Sequence, residues 1–197
     1  YITIGAEVDD AFIAELKKQI INPEVIKEVA DDIKIVYTPF NGTGNVPARR
    51  ILKEIGFKNV YVVPEQEMPD PKFTTLDYPN PEDPKAFTLA LKLAKEVQAD
   101  IVLATDPDAD RLGIYALDKN SGEYVPFTGN MSGMLIAEYI LRERTATGTM
   151  PENPALVSTI VTTNMAAAIA KDYGVKFIEV LTGFKYIGEH IKFFEQS

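Results

Sequence analysis

Thr105-Asp106-Pro107-Asp108-Ala109-Asp110-Arg111 puts three carboxylates at alternate positions and a guanidinium beside the last of them. Adjacent anions repel one another unless a cation lies between them. Hard divalent cations such as Mg²⁺ and Ca²⁺ take oxygen ligands, so Asp106, Asp108 and Asp110 read as ligands for one such ion. Arg111 can neutralise a carboxylate or grip a phosphate oxygen through two N–H groups. A solvated acidic turn is the bland alternative, because Asp and Pro are common turn residues. The stretch directly follows the apolar run Ile101-Val102-Leu103-Ala104, which reads as a buried central strand. Open α/β sheets bind ligands at the carboxyl ends of their strands, and that position favours the metal reading.

An EF-hand loop begins similarly but requires Gly at its sixth position and Glu at its twelfth. Arg111 and Leu117 stand there instead, so that reading fails. The D-x-D loop of nucleotide-sugar transferases also follows a strand and holds a divalent metal, and it stays open as a rival. Other residues carry less. Gly42-Thr43-Gly44 is a weak phosphate-cradle signal, and a structural turn is the better reading. No acidic residue stands at a suitable distance downstream to bind a ribose, which argues against a dinucleotide site. His190, the only histidine, falls in the terminal helix and reads as surface or partly packed. Phe193 and Phe194 read as core or domain contacts.

The elements that must position these residues follow from periodicity. An opening helix is expected, capped by Asp9 or Asp10, with Phe12, Ile13, Leu16 and Ile20 on one face. Asn22-Pro23 restarts a helix with Asn as cap and Pro at the first helical position. Residues 33–37 read as a strand, 38–44 as a turn-rich loop, 46–55 as a helix stopped by Gly56, and 59–63 as a strand. That is a βαβ unit, which implies a parallel sheet. Residues 64–84 hold six prolines in 21 positions, which excludes regular structure there. A helix over 85–98 with Phe87, Leu91 and Ala94 inward precedes the strand at 101–105. Strands at 112–117 and 123–127, joined through Lys119-Asn120-Ser121-Gly122, form a hairpin. Thr128 then caps a helix over 131–144 with Met134, Leu135, Tyr139 and Leu141 among its apolar positions. A strand at 155–161, a helix from Thr163 to Tyr173 ended by Gly174, a strand at 175–180 and a helix at 184–194 complete the chain.

The 197 residues are 46% hydrophobic and 25% charged, as in a soluble globular protein with a sizeable core. Twenty Lys and Arg against 29 Asp and Glu give a formal net charge of −9. That argues against nucleic acid or an anionic membrane as main partner, but not against a phosphorylated ligand held locally. The absence of cysteine removes disulfides, Cys-zinc sites and thiol nucleophiles, and fits a cytoplasmic location. No stretch approaches the roughly 20 apolar residues of a membrane span. Tyr1 opens the chain and the first methionine is Met68, so a fragment of a longer protein is expected.

The acidic motif, followed by Leu112 and Gly113, resembles the Asp-x-Asp-x-Asp-Arg metal loop of the α-D-phosphohexomutases, the family of phosphoglucomutases and phosphomannomutases. Pro107 within it resembles the branch that includes phosphopentomutase-like enzymes. Thr38-Pro39-Phe40-Asn41-Gly42-Thr43-Gly44 resembles the family's T-P-x-H-G-x-G loop, with Asn41 in place of the usual His. Pro79-Asn80-Pro81-Glu82 matches its P-N-P-E element, Thr128-Gly129-Asn130 the start of its third domain, and Leu181-Thr182-Gly183-Phe184-Lys185 its T-G-F-K turn.

The resemblance implies two consecutive α/β units with mixed or parallel sheets. These are domain II over residues 1–126, and domain III, incomplete, over 127–197. It implies Mg²⁺ on Asp106, Asp108 and Asp110, a catalytic role for Arg111, and substrate contacts at Thr182, Gly183 and Lys185. It implies a sugar phosphate as partner: glucose or mannose 1- or 6-phosphate, with glucose 1,6-bisphosphate as intermediate. In such enzymes a phosphoserine in the first domain donates the phosphoryl group. No T-A-S-H-N-P loop occurs here, nor the E-E-x-x-G sugar loop or the fourth domain, so the chain alone is expected to be inactive. A non-catalytic module binding a metal or sugar phosphate is the alternative from another class.

Overall fold

The computed structural model describes residues 1–2 and 4–196. It divides into two compact units, Tyr1–Gly129 and Asn130–Ser197.

The first unit is built on a mixed five-stranded sheet of order β2-β1-β3-β4-β5. Its strands are β1 (Lys34–Thr38), β2 (Asn59–Val62), β3 (Ile101–Thr105), β4 (Leu112–Asp118) and β5 (Glu123–Phe127). β1 runs parallel to both β2 and β3, whereas β3, β4 and β5 are antiparallel neighbours. Helix α3 (Asn45–Glu54) carries the chain from β1 to β2. Helix α5 (Thr88–Val97) brings it back to β3 on the other side of β1. The strand order therefore reverses at β1, and the carboxyl ends of β1 and β3 flank a topological switch point.

The elements follow their residues with instructive departures. β1 and β3 are β-branched and apolar; Val36 and Val102 are fully buried at the centre of the sheet. α5 presents Ala90 and Ala94, both without exposed surface, and these small residues let the helix lie close to the strands. Phe87 joins Phe40 edge to face at 5.6 Å and Tyr115 at 4.6 Å, closing the core above the sheet. The Tyr124 hydroxyl donates to the Ala99 carbonyl at 2.7 Å and ties the hairpin to the end of α5.

Helix α1 (Ala6–Lys17) starts earlier than its caps predicted. Gly5 takes the capping position, and Asp9 lies inside the first turn, where it faces the positive end of the helix dipole. Of its expected apolar face only Ile13 is buried, and Phe12 remains 53% exposed. Asp10 and Lys17 instead hold the helix to α3 through Arg50 and Glu54. Helix α2 (Pro23–Val29) begins as the sequence predicts, with Asn22 Oδ1 accepting from Val25 N–H at 3.4 Å. The proline-rich segment is not wholly irregular. One helical turn, α4 (Pro64–Glu67), opens it, and a 3₁₀ turn (Pro84–Phe87) begins on its last residue and takes the place of the first turn of the helix expected from residue 85. Each starts on a proline, whose fixed φ suits a first helical position and whose missing N–H is not needed there.

The second unit pairs β6 (Ala155–Thr159) and β7 (Lys176–Val180) in parallel. Three helices accompany them, α6 (Gly129–Ala146), α7 (Met165–Asp172) and α8 (Phe184–Gln196). Met134 and Leu141 of α6 pack with Ala166, Ile169, Ala170 and Val175. Leu135 and Tyr139 do not reach this core and stay exposed. β6 ends at Thr159 rather than residue 161, because Thr162 N–H turns back to the Thr159 carbonyl at 2.9 Å. α7 starts two residues after Thr163, whose hydroxyl accepts from Met165 N–H at 3.3 Å. Among the described residues no helix is long and apolar enough to cross a membrane.

Candidate metal centre

β3 ends at Thr105, and the loop that follows is organised from inside by Asp106. Its carbonyl accepts from Ala109 N–H at 3.0 Å, and its Oδ1 accepts from Arg111 N–H at 3.0 Å. Asp106 is thus 6% exposed, while Asp108 and Asp110 stand in solvent. Ala109 holds a left-handed φ of 60°, an uncommon conformation for a residue with a Cβ. This turn lets positions 106, 108 and 110 point to one place. One carboxylate oxygen from each lies within 4.8 Å of the other two.

The donor set is all oxygen and triply negative, the chemistry that suits a hard divalent cation. Arg111 supplies part of the missing positive charge. Its Nε is 3.7 Å from Asp106 Oδ2 and 3.7 Å from Asp110 Oδ1. These are loose pairs on a half-exposed side chain, so the guanidinium is free to turn towards an incoming anion. The residues present fit such a cation: one carboxylate is fixed by the fold, and two are accessible from solvent.

The loop after β1 lies against the acidic loop. Thr43 N–H donates to the Pro107 carbonyl at 2.8 Å, and the Thr43 hydroxyl donates to it at 3.1 Å. A Cβ on Gly42 would sit 2.4 Å from Pro107 Cα, and one on Gly44 would sit 2.6 Å from Thr105 Oγ1. Both glycines are required by close approach, since the left-handed positions of this loop belong to Phe40 and Asn41. Behind them Tyr37 Oη and Thr105 Oγ1 are hydrogen bonded at 2.8 Å. Burial pushes the Tyr37 phenol above its ordinary value of 10.0, and the bond to Thr105 works against that rise. The loop is backed in turn by α4. The Thr38 hydroxyl donates to Gln66 Oε1 at 2.7 Å, Asn41 N–H donates to the Gln66 carbonyl at 2.9 Å, and Asn41 Nδ2 donates to the Met68 carbonyl at 2.7 Å.

The structure therefore gathers Asp106, Asp108, Asp110 and Arg111 in the first unit. Thr182, Gly183 and Lys185 belong to the second unit, at the turn between β7 and α8. Gly183 has a φ of 130°, and its carbonyl accepts from Tyr186 N–H at 3.1 Å. Lys185 is exposed and lies over the Tyr186 ring at 4.9 Å, a contact that its surface position alone explains. His190 is half-buried against Phe193, with ring centroids 5.9 Å apart. The sequence assigns Thr43 no role of its own, and offers Gly42 and Gly44 a weak phosphate-cradle signal with a structural turn as the better reading. The signal for their part was the shared end of two parallel strands, visible once β1 and β3 are neighbours.

The fold and this loop define an α/β protein with its candidate site at a switch point, and comparison with known proteins gives the family. The family model described as "Phosphoglucomutase/phosphomannomutase, alpha/beta/alpha domain II" matches residues 10–119, and the corresponding domain III model matches residues 128–195. The chain belongs to the phosphoglucomutase/phosphomannomutase family. A Haemophilus influenzae protein named "Probable phosphomannomutase" is 35% identical over 96% of this chain and 36% of its own length. Human phosphopentomutase is 36% identical over 95% of this chain and 31% of its own length. The chain thus spans about a third of the length of the curated relatives it matches. Among solved structures, a phosphoglucomutase/phosphomannomutase family protein from Burkholderia thailandensis aligns with a TM-score of 0.69 at 20% identity, over 94% of this chain and 35% of that one. Aspergillus fumigatus N-acetylphosphoglucosamine mutase, solved in complex with GlcNAc-6P and magnesium, aligns with a TM-score of 0.54 at 18% identity, over 84% and 32%.

Proposed function

We propose that this chain is the cation-holding central part of a phosphohexomutase that interconverts sugar 1- and 6-phosphates. The observation that carries the reading is the convergence of Asp106, Asp108 and Asp110 at the β1–β3 switch point of a chain in this family. The residues fit Mg²⁺, and the magnesium reported with the Aspergillus enzyme supports that choice. Mg²⁺ bound there supplies Lewis-acid neutralisation of a transferring phosphoryl group.

The chain's own residues then divide the work. Asp106, fixed by the Arg111 amide, would be the anchored ligand, and the exposed Asp108 and Asp110 would complete the carboxylate set that holds the ion. Arg111 turns from its loose carboxylate contacts to the phosphoryl oxygens and offsets their charge. Phosphoryl transfer is largely positioning and charge neutralisation, so this set suffices for its part of the reaction. Thr182, Gly183 and Lys185 contact the sugar phosphate from the second domain. GlcNAc-6P in the Aspergillus complex supports a sugar phosphate as substrate class. The family resemblance implies that a phosphoserine in a first domain donates the group, and mutase turnover is then expected of protein that carries that domain together with this chain. The expected division into residues 1–126 and 127–197 falls within a few residues of the division between the two compact units, and the same reading places the protein in the cytoplasm without nucleic acid or membrane partners.

The test is a coupled mutase assay on the protein that carries this chain together with the relatives' other domains. Glucose 1-phosphate, mannose 1-phosphate and ribose 1-phosphate are offered in turn, with and without Mg²⁺. Mg²⁺-dependent turnover of at least one supports the reading. Turnover of none, with binding of a nucleotide sugar, overturns it.

A further inference from the structure

The acidic loop alternates two kinds of position. Asp106, Asp108 and Asp110 offer carboxylates to one point. The residues between and before them, Thr105, Pro107 and Ala109, are all touched by the Gly42-Thr43-Gly44 segment. Thr43 binds the Pro107 carbonyl through both its N–H at 2.8 Å and its hydroxyl at 3.1 Å. The Gly42 backbone lies flat on Pro107, since a Cβ there would meet Pro107 Cα at 2.4 Å and its carbonyl oxygen at 2.6 Å. A Cβ on Gly44 would meet Thr105 Oγ1 at 2.6 Å, Tyr37 Oη at 2.8 Å and Ala109 Cβ at 3.2 Å.

We propose that Gly42, Thr43 and Gly44 are positioning residues that clamp the alternate positions 105, 107 and 109, and that this clamp sets the affinity of the carboxylate loop for its cation. The proposal rests on the reading of Asp106, Asp108 and Asp110 as ligands. Three mutually repelling carboxylates splay apart unless the backbone between them is held. Pro107 is the hinge between the first two ligands, and it has no N–H of its own to fix it. Its carbonyl is therefore the handle, and Thr43 grips it twice. The clamp cannot drift, because Thr38 and Asn41 at its root are bonded to Gln66, which has no exposed surface. A loop held in its binding shape loses less freedom when the ion arrives, and that difference appears as affinity. Residues that orient metal ligands without touching the metal typically change affinity by about 10–100-fold when mutated.

The experiment is Mn²⁺ titration of the 197-residue chain followed by the free-ion electron paramagnetic resonance signal, with far-ultraviolet circular dichroism as the check on fold. Gly42→Ala is expected to weaken Mn²⁺ binding about 10-fold or more, the range for such outer residues. Thr43→Val removes only the hydroxyl bond and is expected to weaken binding about 3–10-fold, the equivalent of one hydrogen bond. Thr43→Ser, which keeps the hydroxyl, restores the wild-type value, a rescue that a general loss of stability would not give. Gly133→Ala, at an open helical position in the other unit, leaves affinity unchanged. If Gly42→Ala fails to fold, the Thr43 pair carries the test alone. Wild-type affinity in both Gly42→Ala and Thr43→Val, with Asp108→Ala losing the ion, overturns the clamp and leaves the ligand reading intact. Wild-type affinity in Asp108→Ala overturns the ligand reading and the clamp with it.

Discussion

Tyr37 Oη and Thr105 Oγ1 lie 2.8 Å apart and join the ends of two parallel strands in front of the acidic loop. Tyr37 is 1% exposed, so the phenol has no water to replace this partner. Tyr37→Phe removes this bond and is expected to lower stability by about 1 kcal/mol. Urea unfolding measures it: the midpoint falls and the slope stays the same.

Gly113 lies two residues beyond Arg111, at the start of β4. A Cβ there would meet Phe87 Cζ at 2.6 Å, Pro81 Cβ at 2.7 Å and the Pro81 carbonyl at 2.8 Å. Gly113→Ala therefore forces the proline-rich segment off the sheet and costs about 1–3 kcal/mol, the range for overpacking a filled core. A thermal melt reads the loss as a lowered midpoint. An unchanged midpoint would mean that this segment yields freely.

Glu54 of α3 receives hydrogen bonds from Lys17 and Arg50, which hold its carboxyl below the ordinary value of 4.5. A carboxyl whose value is lowered by folding contributes stability above its unfolded value and loses it as pH falls through the lowered, folded one. The stability difference between wild type and Glu54→Gln is thus present at neutral pH. It shrinks as pH drops below 4.5. Denaturant unfolding of both proteins at neutral and at acid pH gives the comparison, and a difference that grows with acid would contradict the pairing.

Much of this was legible in the sequence, and the remainder was hidden for physical reasons. β3 and the acidic loop could be read together, because an apolar run followed by alternating carboxylates is a local pattern. The Asn22-Pro23 helix start and the stop at Gly56, which holds a φ of 118°, are local too. The start of α1 was missed because Gly5 caps it and Asp9 only faces its dipole. Its apolar face is less buried than periodicity predicts, because ion pairs to Arg50 and Glu54 hold the helix where Phe12 does not. The clamp was hidden most deeply. Gly42 and Pro107 are far apart in sequence, and their contact exists only because β1 and β3 pair in parallel. No local signal marks a glycine that is needed for what approaches it rather than for its own φ.

If Asp106, Asp108 and Asp110 hold the cation, sugar-phosphate transfer depends on each of the three carboxylates. The most direct measurement is glucose 1-phosphate turnover by the protein carrying this chain with its family's other domains, comparing wild type with Asp108→Ala. Asp108 is exposed, so its loss leaves the fold intact by circular dichroism. Turnover is expected to fall about a thousandfold or more, the effect of removing several kcal/mol of charge stabilisation from the transition state. Wild-type turnover in a folded Asp108→Ala protein would contradict it.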